Sequence, residues 1–357
     1  AYDHEYRASV FFLAACLSSI APVVLMCGIC GEIRFDDKAP EKARIKLMTD
    51  RLVRRGPDGE GCYINANTGM GHRRLAIIDL SERAAQPMVD KENGLALVFN
   101  GTIYNYPELR RLLIDKGHHF VSTGETEVIL KAYAEWGIDC LQRLHGMFAF
   151  AIRDERNGKL ILVRDRVGIK PLYFSHTSER LLFASTTQAL LAADPSIDTS
   201  IDAYAMHNLF SLHAVVPAPR TILKGIRKLR PAHYMVFSDD GSVTENRYWT
   251  LTAKRPGKAM DENEWINAIH DSLRRSVERR LKIADVPVGV LLSGGIDSSL
   301  LVALLSEAGA KGLKTFSVGF EDQPEEKGNE FEYSDAVAEK YATEHHRFLV
   351  PNDQVLP

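Results

Sequence analysis

Residues 286–292 (VPVGVLL) are an almost wholly apolar run that leads directly into Ser293-Gly294-Gly295-Ile296-Asp297-Ser298-Ser299, and then into a helical pattern at 300–308. A strand that is apolar at nearly every position has both faces covered, the condition of a parallel sheet flanked by helices. A glycine-rich turn between such a strand and a helix offers an anion backbone N–H groups and the positive end of a helix dipole. The turn is not a G-x-x-x-x-G-K-[ST] loop, because no Gly-Lys-Ser/Thr follows, and it lacks the G-x-G-x-x-G spacing of a dinucleotide loop. Strand patterns at 314–320 and 347–350 alternate with a helical one at 333–341. That alternation predicts a parallel, doubly wound α/β sheet that binds its ligand at the strand C-termini. Ahead of it, Trp265, Ile269, Leu273, Val277 and Leu281 recur every four residues, which predicts an amphipathic helix over 262–281.

The 357 residues leave room for a second domain before this one. Residues 29–35, 94–100, 146–152 and 159–163 read as strands, and 43–53, 107–116 and 126–136 as helices. Residues 211–232 hold three prolines and several basic residues, which marks a connection. Composition is 45% hydrophobic and 25% charged with a net charge of −3, so no global field calls for nucleic acid. Five cysteines (Cys16, Cys27, Cys30, Cys62, Cys140) are too few and too uneven for a disulfide framework, and a reducing, cytoplasmic setting is expected. Cys27-x-x-Cys30 has zinc or redox spacing, but there is no second pair, and the motif opens a strand rather than a strand-to-helix turn. Residues 1–25 carry an apolar stretch at 10–17 that Ser18, Ser19 and Pro22 interrupt, behind Asp3 and Glu5 and a single Arg7. This is a poor signal core and a poor membrane span, so the segment is expected to be an extraneous or cleaved leader.

Met26-Cys27-Gly28 is then a candidate hidden N-terminus. Cut after Met26, Cys27 carries a thiol and a free α-amine of pKa about 7.7–8, a nucleophile and its base in one residue. Uncut, it is an ordinary strand cysteine. Asn100-Gly101 ends an apolar run and reads either as a turn dipeptide or as an oxyanion hole built from a side-chain amide and a backbone N–H. Arg74, in His72-Arg73-Arg74-Leu75, is a surface charge or a fork for a substrate carboxylate.

CGICG, RRGPDG, GHRRLAIID, NGTIYN, GETEV, GMFAFAI, RDRVGIKPLYF and SGGIDSS occur here in the order seen in class II glutamine amidotransferases of the asparagine synthetase type, and the resemblance runs from Met26 to the end of the chain. It implies an N-terminal-nucleophile fold, two antiparallel sheets sandwiched between helices (αββα), followed by an incomplete α/β parallel-sheet ATP-pyrophosphatase domain. The implied bounds are 26–212 for the glutaminase domain, 213–250 for a connection and 251–357 for the start of the second domain. The family's second acidic SGEGSDE-like motif is not reached before Pro357, so the second domain is expected to be truncated.

By matching position, Cys27 would attack the glutamine carboxamide while Asn100 and Gly101 hold the oxyanion. Arg74 would clamp the α-carboxylate, with the backbone of Leu75, Ile77 and Ile78 beside it. Thr102 and Glu125 stand where asparagine synthetases usually carry glutamate and aspartate facing the glutamine ammonium, so Glu125 would make that contact alone. Ser293, Gly295, Ser298 and Ser299 would cradle pyrophosphate, Asp297 would hold Mg²⁺ against it, and Leu291 and Val318 would line the adenine. The activity implied is that of a carbon–nitrogen ligase consuming ATP to AMP and pyrophosphate and passing ammonia from glutamine to an adenylated carboxylate. A homodimer is expected, with neither nucleic acid nor membrane as partner. Thr102, residues 209–230 and Glu330-Phe331-Glu332-Tyr333-Ser334-Asp335 look most like the N-acetylglutaminylglutamine amidotransferase subgroup, which makes an osmoprotectant. Aspartate is the alternative acceptor. Phosphoribosyl or hexosamine amidotransfer shares the Cys-Gly-Ile start, but SGGIDSS argues against it, and a tethered binding protein is the non-enzymatic alternative.

Overall fold

A computed structural model of the protein describes residues 26–255, 257–322 and 328–351. The leader expected at residues 1–25 lies outside them. The chain divides into two compact units, one ending at Ala253 and the other beginning at Lys254.

The first unit opens with β1 (Gly28–Arg34), α1 (Lys42–Asp50), β2 (Gly59–Asn65), β3 (Thr68–Arg74) and β4 (Met88–Asp90). It continues through β5 (Leu95–Ile103), α2 (Tyr106–Asp115), α3 (Glu125–Trp136), α4 (Cys140–Arg143), β6 (Gly146–Asp154) and β7 (Lys159–Arg164). It closes with β8 (Tyr173–His176), β9 (Arg180–Ala184), α5 (Thr187–Ala193), α6 (Ala203–Ser211), β10 (Arg227–Lys228), β11 (His233–Ser238) and β12 (Val243–Arg247). Two six-stranded sheets result, in the orders β10-β8-β9-β1-β3-β2 and β12-β11-β7-β6-β5-β4. The pairings within both are antiparallel.

Strand alternation sets the layers. In β5, Leu95, Leu97 and Phe99 join a core with α2, α3 and α4, whereas Ala96 and Val98 join the core between the sheets. Ala149 and Ala151 of β6 lie in that same inter-sheet core. Small side chains there leave room for Ile29, Ile33, Met70 and Phe183 from the facing sheet. The opposite face of β1 sends Cys30 into a third core with Ile45 and Met48 of α1, Leu52 just past it, and Ala189 and Leu190 of α5. The order is helix, sheet, sheet, helix, the expected sandwich.

Residues 213–250, expected as a connection, instead complete both sheets through β10, β11 and β12. The prolines and basic residues that signalled a linker stop at Pro231, and Tyr234, Met235, Val236 and Phe237 then pair with β7. Strand β5 also continues through Asn100-Gly101 to Ile103, so that dipeptide is not a turn.

The second unit contains α7 (Glu262–Ile283), β13 (Gly289–Leu291), α8 (Ile296–Glu307), β14 (Lys314–Phe320), α9 (Phe331–Lys340) and β15 (Glu344–Val350). The three strands form a parallel sheet in that order. A capping box between Asp261 and Glu264 starts α7. Val290 and Leu292 pack with Val302, Leu304 and Leu305 of α8 and Ala338 of α9. The crossover helices of these three strands therefore pack on one face of the sheet. The other face carries Leu291, Phe316 and Val318, with the Phe316 ring 5.1 Å from that of His346 and 6.4 Å from that of Phe348. No described helix is long and apolar enough to cross a membrane.

Candidate active site

Cys27 immediately precedes β1, at the end of the first sheet where β3 runs out into the loop that begins with Leu75. The Leu75 N–H donates to Cys27 Sγ at 3.4 Å, and Sγ lies 3.6 Å from the Leu75 carbonyl. The apolar residues Leu75, Ala76, Ile77 and Ile78 are therefore loop rather than strand, and half-buried. Burial pushes the thiol above its ordinary range, opposed by the Leu75 N–H and then by the charge of Lys170. Cys30 points elsewhere, with its sulfur 3.6 Å from the Gly71 carbonyl. The Cys27 carbonyl accepts from Arg55 Nε at 3.1 Å, and the Met26 N–H donates to the Arg55 carbonyl at 2.8 Å. Arg55 thus clamps the chain on both sides of the bond whose cleavage would free the Cys27 amine.

His72 ties this sheet to the next. It is buried, and its Nε2 lies 3.2 Å from the Phe99 carbonyl. A carbonyl only accepts, so Nε2 carries the proton. Burial holds the ring neutral by pushing its pKa down to about 3.

Beyond Phe99, β5 builds a donor pair. Asn100 lies on the inter-sheet side, 1% exposed, and its Nδ2 has no partner among the described residues. A buried amide donor left unmade is costly unless a ligand takes it. The Tyr104 N–H donates to His145 at 2.7 Å, so even-numbered amides of this strand face β6. Odd-numbered amides face the opposite edge, where Phe99 donates to Gln86 Oε1 at 2.6 Å and Ile103 to Glu125 Oε2 at 2.5 Å. The Gly101 N–H lies between those two and faces the same edge. A Cβ on Gly101 would stand 2.3 Å from the Met147 carbonyl of β6, so residue 101 has no room for a side chain. Gln86 Nε2 reaches Thr126 at 3.3 Å, binding the strand edge to the start of α3.

Glu125, the first residue of α3, and Thr102 are both 7% exposed. Burial pushes the Glu125 carboxyl up to about 8, against the lowering effects of the Ile103 N–H and Lys170. Arg74 donates to the carbonyls of Ser81, at 3.0 Å, and Asp79, fixing the loop after β3. Asp79 accepts from Ser81 N at 3.1 Å, Ser81 Oγ at 2.5 Å and Thr123 N at 2.7 Å, which joins that loop to the residues before α3. Burial works to raise the Asp79 carboxyl, and the bonds from Ser81 and Thr123 outweigh it, holding it at about 2.

The sequence had offered the motif around Lys170 without a role for it. Asp165, fully buried, accepts backbone N–H groups of Val167, Gly168, Ile169, Lys170 and Phe148 at 2.7–3.2 Å. A carboxylate collecting five amides fixes the loop, and the loop carries Lys170, 4% exposed, with Nζ 2.8 Å from Met26 Sδ. Burial, then Arg55, push the Lys170 ammonium down to about 8, opposed by Cys27, Asp165 and Glu125. The signal was an Asp five residues before a Lys, separated by a Gly, in the run Asp165-Arg166-Val167-Gly168-Ile169-Lys170.

In the second unit, β13 ends at Leu291 and α8 begins at Ile296, with Gly295 as its N-cap. Gly294 has φ +85, and a Cβ there would stand 2.5 Å from Tyr333 Cβ. A Cβ on Gly295 would meet nothing nearer than Ser293 Oγ at 3.4 Å, so it would stand in the open mouth of the loop. Ser293 Oγ and Ser298 Oγ are 3.0 Å apart, and Asp297 is exposed in the first turn of α8. The Ser299 N–H is committed to the Gly295 carbonyl at 3.0 Å, which leaves its hydroxyl for a ligand. The hydroxyls and helix start fit a pyrophosphate group, and one carboxylate beside phosphates suffices for Mg²⁺. Leu291 and Val318 share one face of the sheet, as a wall for an adenine requires.

Known proteins carry the same two parts. A family model described as glutamine amidotransferase domain matches residues 26–249, and one described as asparagine synthase matches 268–357. The asparagine synthetase [glutamine-hydrolyzing] 3 of Bacillus subtilis is 34% identical over 342 residues, covering 91% of this chain and 54% of the relative. A putative asparagine synthetase 2 of Methanocaldococcus jannaschii is 36% identical over 345 residues, 90% of this chain and 64% of the relative. The asparagine synthetase B of Escherichia coli is 32% identical over 337 residues, 90% and 53%. The chain spans about half the length of the curated relatives it matches. Among solved structures, the Bacillus subtilis glutamine phosphoribosylpyrophosphate amidotransferase aligns over 92% of each chain, with TM-score 0.50 and 14% identity, a likeness of fold.

Proposed function

Because the chain belongs to the asparagine synthetase family, with a glutamine amidotransferase domain ahead of an asparagine-synthase domain, we propose that it hydrolyses glutamine at Cys27 and passes the ammonia to an adenylated carboxylate. Once Met26 is removed, the Cys27 amine accepts the thiol proton, and Sγ attacks the carboxamide carbon. Asn100 Nδ2 and the Gly101 N–H hold the oxyanion that forms. Ammonia leaves, and water cleaves the thioester. Glu125 meets the substrate ammonium and Arg74 its carboxylate, with Leu75, Ile77 and Ile78 alongside. ATP bound at the loop of Ser293, Gly295, Ser298 and Ser299, with Mg²⁺ at Asp297, supplies the adenylyl group that activates the acceptor. The observation that carries the reading is the buried Asn100 amide, which has no partner among the described residues and lies beside the outward-facing Gly101 N–H.

The test is steady-state glutamine hydrolysis by full-length protein that begins at Cys27. Cys27→Ala should abolish turnover and leave synthesis from added ammonium intact. Asn100→Ala removes one oxyanion donor and should lower kcat about 10²–10³-fold with little change in KM. An Asn100→Ala protein with normal kcat and raised KM removes the oxyanion role. The acceptor is N-acetylglutaminylglutamine or aspartate: Thr102 and residues 209–230 support the first, and the names of the curated relatives support the second. Offering the same protein each acceptor with ATP and glutamine, and identifying the amide by mass spectrometry, separates them.

A further inference from the structure

We propose that Lys170 is a positioning residue acting by charge, its buried ammonium seated against Met26 so as to hold the Cys27 amine unprotonated once Met26 is gone, and to favour the thiolate. The inference rests on the hydrolytic reading above and assigns that site a residue which carries no role there.

The geometry carries it. Lys170 Nζ lies 2.8 Å from the side chain of Met26, the residue whose removal exposes the amine. The lysine is 4% exposed and its backbone is held at both ends: its main-chain N–H donates to Asp165 Oδ2 at 2.9 Å, and its carbonyl accepts from Arg164 Nε at 2.9 Å. A loop pinned by five amides on one carboxylate is a large investment to place one cation.

The surrounding charges come from four other elements. Arg55 follows α1, Arg74 ends β3, Glu125 starts α3, and Asp165 follows β7. Arg55 and Arg74 already donate to main-chain carbonyls of Cys27, Ser81 and Asp79. A cation in a site of low dielectric makes a neighbouring ammonium costly and a neighbouring thiolate favourable. In the hydrolytic step the proton passes from Sγ to the amine nitrogen, so charge is conserved within Cys27. The role of Lys170 is to make the amine's resting form the base, and to lower the energy of the sulfur once it has given up its proton.

The experiment is the pH dependence of kcat at saturating glutamine for the full-length protein starting at Cys27, which sets aside the KM slope of Glu125, paired with the rate of Cys27 alkylation by iodoacetamide against pH. Lys170→Met should move the acid limb and the alkylation midpoint upward by about one pH unit, a tenfold loss at the foot of the limb, while Lys170→Arg keeps both in place. Lys170→Gln serves if the methionine variant does not fold, as judged by thermal unfolding. A uniform loss at every pH with an unmoved limb overturns the charge role and makes Lys170 a packing residue. Absence of hydrolysis by the wild-type protein with a verified Cys27 terminus overturns the hydrolytic reading itself.

Discussion

At the scale of single residues, the contact proposed between Glu125 and the glutamine ammonium turns on the protonation of a buried carboxyl. Its carboxyl is buried, accepts one amide and has its pKa pushed up to about 8 by desolvation. Below that pH the ligand-free protein holds it protonated, although the ammonium proposed to meet it would need it charged. Glutamine binding should therefore expel a proton, and KM should rise as pH falls below about 8, approaching tenfold per pH unit. The folded-state pKa is raised, so the stability linked to Glu125 is fully present below the unfolded value of about 4.5 and is lost as pH rises through about 8. Glu125→Gln should remove the KM slope, weaken glutamine binding above pH 8, and raise the Tm of the ligand-free protein at pH 9 but not at pH 4. A variant that keeps the wild-type KM slope would show that another group titrates. Thr102, buried and uncharged on the same strand as Asn100, would leave the proposed ammonium contact to Glu125.

At the scale of elements, β5 carries a loop-like dipeptide inside a strand, on the edge proposed to hold the oxyanion. Asn-Gly is the commonest hairpin signal, yet here the strand continues three residues past Asn100. Propensity lost to tertiary pairing: Gly101 lies opposite Phe148, and only a glycine fits against the Met147 carbonyl. Gly101→Ala should cost about 1–3 kcal/mol through overpacking and should displace the oxyanion N–H. Its kcat should fall more than its fraction folded, measured by urea unfolding alongside turnover, and a stable variant with wild-type kcat would show that the Gly101 amide is not a donor. The same strand shows what the residues revealed in advance. Cys27, Arg74 and the SGGIDSS turn stood out in advance because each sets a special residue at a strand end, at the start of β1, the end of β3 and the end of β13, whereas Asn100-Gly101 lies within β5 and was open to two readings. Lys170, His72, Gln86 and Arg55 were not, because a buried polar side chain is defined by partners far along the chain: Met26 for Lys170, Phe99 for His72. Strand β11 and the edge strand β12 were hidden by the prolines and basic residues just ahead of them. The short β13 read longer because its apolar run continues on both sides of Gly289–Leu291.

At the scale of the whole molecule, the two units differ in how much of a core each holds. The first has three clusters, one between its sheets and one under each helical layer. The residues proposed for glutamine chemistry, from Cys27 through Lys170, all lie within it. Its last strand, β12, ends at Arg247, and Tyr248 still belongs to the core and donates through its hydroxyl to the Arg164 carbonyl at 2.9 Å, beside the Asp165 loop. A cut at 212, where the prolines begin, would remove β10, β11 and β12 and bare the edge of β7; a cut at 253 would not. Residues 27–253 should therefore fold alone, unfold in one cooperative urea transition and hydrolyse glutamine without ATP, whereas residues 27–212 should aggregate or remain unfolded. Both proteins can be compared by circular dichroism and ammonia release. A folded, active 27–212 protein would mean that β11 and β12 merely decorate the sheet. A folded but inactive 27–253 protein would mean that hydrolysis at Cys27 depends on residues outside the unit that builds its site.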